Sequence, residues 1–104
     1  MDIFNPYNGK LIETFKPTSQ SEIDSIVQKL RDGHIQWQAT PIEVRCQKIK
    51  KFRDLLEQSL DDSAAIQTEE TGKPISQSIG EIRGTIERVD YFLDHAPSIL
   101  TEAF

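Results

Sequence analysis

The chain has 104 residues, enough for one domain, and its 37% hydrophobic and 28% charged residues give a globular composition. A formal net charge of −5 excludes a nucleic-acid surface, which needs clustered lysine and arginine. No apolar run approaches the roughly 18 residues of a membrane span, and no basic-then-apolar start marks a signal peptide. The single cysteine, Cys46, permits no internal disulfide and fits a reducing, cytoplasmic compartment.

Residues 3–16 read as a β-hairpin. Ile3-Phe4 and Lys10–Phe15 are strand-like, and Asn5-Pro6-Tyr7-Asn8-Gly9 lies between them. Pro6 presets φ for a turn, and Asn8-Gly9 tolerates positive φ. Leu11, Glu13 and Phe15 share one face and Ile12 and Thr14 the other, so the second strand is expected to be covered on both sides. A lone hairpin is marginal in water and must pack on helices or join a larger sheet.

Ser19-Gln20-Ser21-Glu22 has capping-box spacing and opens a helix over residues 20–38. Ile23, Ile26, Val27, Leu30, His34 and Trp37 form its apolar stripe. Gly33 inside it costs about 1 kcal/mol relative to alanine. Thr40-Pro41-Ile42-Glu43 predicts a second capped helix, 41–59, with Pro41 in the first helical position. Ile42, Cys46, Ile49, Phe52, Leu56 and Leu60 point inward there. Lys48, Lys50, Lys51 and Arg53, balanced by Asp54, Glu57, Asp61 and Asp62, read as a solvated face. A short third helix over 62–71 carries Ala65, Ile66 and Glu69.

Glu70-Thr71-Gly72-Lys73-Pro74 punctuates the chain. Gly72 can take the left-handed conformation that closes a helix, and Pro74 cannot continue it. The fourth helix, 75–96, has Ile75, Ile79, Ile82, Ile86, Val89, Leu93 and Ala96 alternating by four and three. Pro97 should end or kink it. Four helices with short connections predict antiparallel neighbours. The fold class is therefore mainly α with a short N-terminal β-hairpin. The fourth stripe is long enough to require further partner surface, which predicts self-association.

The residues present no catalytic constellation. Cys46 lies in an apolar stripe with no activating histidine and reads as a small hydrophobe. His34 and His95 have no second metal-type ligand on their helices, and His95 reads as a last-turn residue that suits the helix dipole. Glu69 and Glu70 diverge by about 100° on a helix, so they do not converge on a substrate. Gly80 and Gly84 have the spacing that lets a backbone approach closely. Gly72-Lys73 lacks the remaining glycine and spacing of a phosphate loop.

The segments as a set resemble the N-terminal region of the aldehyde dehydrogenase family. Asn5-Pro6-Tyr7-Asn8-Gly9-Lys10-Leu11-Ile12 is similar to its opening N-P-x-[TN]-G-x-x-[IV]. Ser21–Asp24 with Trp37 and Thr40-Pro41 resembles its first capped helix, and Arg45 with Lys48–Leu56 its next helical segment. Glu70–Pro74 matches E-T-G-K-P, and Gly80-Glu81-Ile82 with Tyr91-Phe92 matches the helix that follows. The resemblance implies a single partial domain over 1–104, the N-terminal part of the family's α/β cofactor-binding domain. It implies oxidation of an aldehyde to an acid with NAD or NADP in the full-length family. The nucleophilic cysteine, general-base glutamate and glycine-rich cofactor turns lie downstream in that family, so no cofactor and no catalysis are expected of this chain alone. One site carries over, a monovalent-cation position with the Phe4 carbonyl and the Glu81 carboxylate. The implied partners are the remainder of a dehydrogenase or a second copy. The alternative is a stand-alone helical interaction module.

Overall fold

The computed structural model describes residues 1–102, with side chains to residue 100. Two strands precede four helices: β1 Asp2–Phe4, β2 Leu11–Thr14, α1 Gln20–Gln38, α2 Ile42–Gln58, α3 Leu60–Thr71 and α4 Ile75–Glu102. The arrangement is open. The radius of gyration is 18.1 Å, whereas a compact chain of this length would have about 13 Å.

The core lies where α4 meets α2 and α3. Ala64, Ile82 and Ile86 are buried, with Leu56, Leu60 and Ile79 packed against them. The stripe on α4 is therefore real through its middle, while Ile75 at its start is 46% exposed. On α3 the buried position is Ala64, not Ala65 or Ile66. Its methyl group allows the close approach that a longer side chain would block. Ser78 is fully buried beside this contact, and its hydroxyl is satisfied by Thr68 Oγ1 at 2.8 Å. Bonds from Gln67 and Thr68 to Glu81 and Ser78 run in opposite residue order, which makes α3 and α4 antiparallel.

Ser59 alone separates α2 from α3, ending one helix and starting the next with φ −96° and ψ 14°. The two form one broken arm along α4, and α3 starts earlier than expected. The end of α3 follows expectation: Gly72 has φ +74° and its N–H donates to the Thr68 carbonyl at 2.9 Å.

Other expectations fail for identifiable reasons. The four helices do not form a bundle, because α1 makes no extensive contact with another element among the described residues and buries no side chain. Its own capping box forms fully, with the Glu22 N–H donating to Ser19 Oγ at 3.3 Å and the Ser19 N–H to Glu22 Oε2 at 2.8 Å. The Ser19 bonds hold the Glu22 carboxyl below its usual range. The box at Thr40 does not form. The Thr40 hydroxyl donates back to the Gln36 carbonyl at 2.9 Å and closes α1, leaving Pro41 as an extended N-cap of α2. Finally, α4 continues through Pro97. Proline removes one donor and crowds the preceding turn, but its fixed φ suits the helix that follows. His95 therefore sits within α4 rather than in a last turn, donating Nδ1–H to the Tyr91 carbonyl at 2.7 Å.

The hairpin is antiparallel, with Asp2 opposite Thr14, Ile3 opposite Glu13 and Phe4 opposite Leu11. Its strands are shorter than the 3–16 span. Phe4, Leu11 and Phe15 are each more than half exposed while Ile3 and Ile12 are partly buried, so the hairpin is not covered on both sides as expected. Its turn meets the helical part at Gly72, where Pro6 lies so close that a Cβ on Gly72 would come within 2.8 Å of Pro6 Cγ.

Candidate functional site

Three places on the helical part bring chemistry-bearing residues together. The first is the junction after Gly72. Pro74 starts α4 with its carbonyl taking the Gln77 and Ser78 N–H groups at 2.9 and 3.2 Å. This places Glu81 about two turns along, facing Lys73 and Gln67. Lys73 Nζ donates to both Glu81 carboxylate oxygens at 2.7 and 2.9 Å, and the Gln67 amide adds a third bond. The Lys73 bonds, with the Gln67 amide behind them, hold the Glu81 carboxyl below its usual range. Phe4 lies in β1, two residues before the Pro6 that touches Gly72. The hairpin turn and Glu81 thus meet the same junction, and the Glu81 charge is already compensated by an ammonium.

The second place is a charged groove of about 480 Å³ between the α2–α3 arm and α4, including Arg53, Glu57, Asp61, Arg83, Glu87 and Asp90. Arg53 does not belong to a solvated face. Its Nε and Nη2 donate to the two Asp90 oxygens at 2.8 and 3.0 Å, and its Nη1 reaches Glu57. This fork joins α2 to α4. Asp90 first, then Glu57, raise the Arg53 pKa, and the Arg53 bond lowers that of Asp90. Arg53 thus neutralises Glu57 and Asp90, and this part of the groove is a structural ion-pair network joining the helices.

The third is an apolar groove of about 330 Å³ where the end of α1 meets α2 and α4. Trp37, Ile42, Cys46, Ile49, Phe92 and Leu93 are among its lining residues, and Arg45 is the charged one. The free Cys46 sits in it half-buried, as a hydrophobe. Arg45 was not singled out by charge, because nothing in its spacing distinguishes it from the other basic residues of α2. Yet its Nε is buried and has no hydrogen-bond partner. Ile49 and Phe52, expected inward, are 40% and 54% exposed, because α4 covers only part of α2.

The remaining candidates stay apart. His34, Glu69 and Glu70 are exposed on their helices. His95 stacks on Tyr91 with ring centroids 4.1 Å apart. A Cβ at Gly80 or Gly84 would meet nothing within 4 Å, so that spacing holds no close backbone contact. Among the described residues no cluster of three or more His, Cys, Asp or Glu is placed to hold a metal ion, and no helix is long and apolar enough to cross a membrane.

Comparison with known proteins matches residues 1–104 to the model of the aldehyde dehydrogenase family. The chain is 30% identical over 98 residues to a malonate-semialdehyde dehydrogenase of Bacillus pumilus (strain SAFR-032), covering 94% of this chain and 20% of that protein. It is 25% identical over 96 residues to a succinate-semialdehyde dehydrogenase [NADP(+)] of Deinococcus radiodurans, covering 92% of this chain and 20% of that protein. The chain therefore spans about a fifth of the length of these curated relatives.

Proposed function

The chain belongs to the aldehyde dehydrogenase family, and we propose that it supplies the outer N-terminal layer of an enzyme that oxidises an aldehyde to a carboxylic acid with NAD or NADP. The observation that carries this is the family match across the whole of residues 1–104, together with the ordered motifs from Asn5-Pro6 to Tyr91-Phe92. In this role the chain is structural. It contributes the hairpin and helices, and the reacting cysteine, the general base and the cofactor come from downstream sequence. The unpaired Cys46 and the absence of disulfide chemistry suit a cytoplasmic setting.

The Phe4 carbonyl and Glu81 carboxylate form part of the same proposal, as two ligands of a monovalent cation. A cation there competes with Lys73 Nζ for the Glu81 oxygens. Thermal unfolding in potassium, sodium and a bulky organic cation at constant ionic strength tests it, since only a site selects among them.

A chimera tests the main proposal. The N-terminal fifth of the Bacillus pumilus relative is replaced by this chain, and aldehyde oxidation is assayed. Restored activity supports the structural role. A folded chimera without activity contradicts it. The chain alone is expected to show no saturable NAD or NADP binding at micromolar concentration.

A second reading, a stand-alone interaction module, draws on the apolar stripe of α1, which has no extensive contact among the described residues. Cooperative unfolding of the chain without any partner favours it.

A further inference from the structure

We infer that the apolar α2–α4 groove is the seat of downstream dehydrogenase sequence, which sets a carboxylate on Arg45 and apolar side chains on the groove's walls. This deepens the dehydrogenase reading and rests on it.

Arg45 carries the argument. A guanidinium stays ionised throughout the working pH range, and a buried charge is normally paired. Arg45 Nε is buried without a hydrogen-bond partner among the described residues. The fold around it supplies no counter-ion. The residues three and four positions away on either side are Pro41, Ile42, Lys48 and Ile49, so no carboxylate stands at helical spacing. The α4 residues that line the same groove, among them Val89, Phe92 and Leu93, are apolar. Asp90 and Glu57 are taken by Arg53. Two arginines of α2 thus lie along α4, one held in a two-carboxylate fork and the other left with a vacant buried donor. The missing acceptor has to come from outside these residues.

The walls describe the rest of the occupant. Trp37 of α1 already forms part of the lining, yet Ile49 and Phe92 remain 40% and 59% exposed. A segment carrying one acidic side chain among apolar ones covers the walls and satisfies Arg45 together. The match to the curated relatives spans a fifth of their length, so four-fifths of such an enzyme is available to supply it. A segment of the same polypeptide reaches the groove at an effective concentration on the order of millimolar, which a second copy at micromolar concentration does not match.

Cys46 lines the groove next to Arg45 and reports on its cover. The rate of its alkylation by iodoacetamide, followed by peptide mass, is compared in the 104-residue chain and in the Bacillus pumilus chimera at one pH. Cys46 should react at least about tenfold more slowly in the chimera. Arg45→Met in the chimera should raise the rate by about threefold or more, and Arg45→Lys, which keeps the charge, by less. Equal rates in chain and chimera overturn the inference. Protection indifferent to both Arg45 variants overturns the carboxylate contact. Slowing in the chain alone as its concentration rises to millimolar gives the groove to a second copy and overturns the inference as well. An active chimera with an unprotected Cys46 sinks this inference alone, whereas a folded, inactive chimera with a protected Cys46 sinks the functional reading alone. A chimera that does not fold contradicts both, because the two surfaces then do not fit.

Discussion

The α3–α4 core and the α1 arm are both well-formed helix, yet they are held by different physics. Around Ile82 and Ile86, helices persist because apolar side chains leave water together. In α1 the helix is defined by local signals alone: a complete capping box at Ser19 and Glu22, a closing bond from Thr40, and no buried side chain. Capping sets where a helix starts and stops. Burial sets how firmly it stays, since isolated helices near this length are marginal in water. The hairpin belongs with α1 on this scale, held mainly by its own ladder and by Pro6 against Gly72.

Breaking the core should have the largest effect. Ile86→Ala deletes a buried side chain and should cost about 2–5 kcal/mol in urea denaturation, a large share of a small domain's stability. Gly72→Ala comes next. It forces a Cβ into the left-handed region at φ +74° and against Pro6, and should cost about 1–2 kcal/mol. Adding Pro6→Ala should return the part due to the contact and leave the backbone part.

The Arg53–Asp90 fork sharpens the contrast through pH. Its pairing lowers the Asp90 pKa in the folded state, so the stabilisation is complete above the unfolded value of about 3.9 and is lost as pH falls below it. Asp90→Asn should remove part of the stability loss seen as pH falls below about 4 while leaving the neutral-pH helix content intact. The smallest effect belongs to the arm. Leu30→Asp in dilute solution should change stability by no more than about 0.5 kcal/mol, because the side chain is already in water.

The sequence made the local features legible and the tertiary ones only in part. Ser19–Glu22 marked the start of α1 and Gly72 the end of α3, because caps are short-range chemistry. The α4 stripe marked the core face, since burial repeats along a helix. What stayed hidden depends on which elements meet. Thr40 had two backbone partners within reach and took the one in α1. Ala64 was selected over Ile66 by the closeness of α3 to α4, a distance no spacing encodes. Pro97 was tolerated because the helix on its C-terminal side is compatible with its φ. Among the candidate site residues, Glu81 was visible by resemblance, whereas its partner Lys73 and the role of Arg53 needed the fold. Arg45 stood out in the sequence only as a motif residue, and its buried, unpartnered Nε needed the fold.

Native-state hydrogen exchange, followed residue by residue in dilute protein, tests the division most directly. Slow amides confined to α4 and α3 around Ile82, Ile86 and Ala64, with fast exchange through α1 and the hairpin, are the predicted result. Equal protection of α1 and α4 in monomeric protein would contradict it, showing that the arm is held by burial after all.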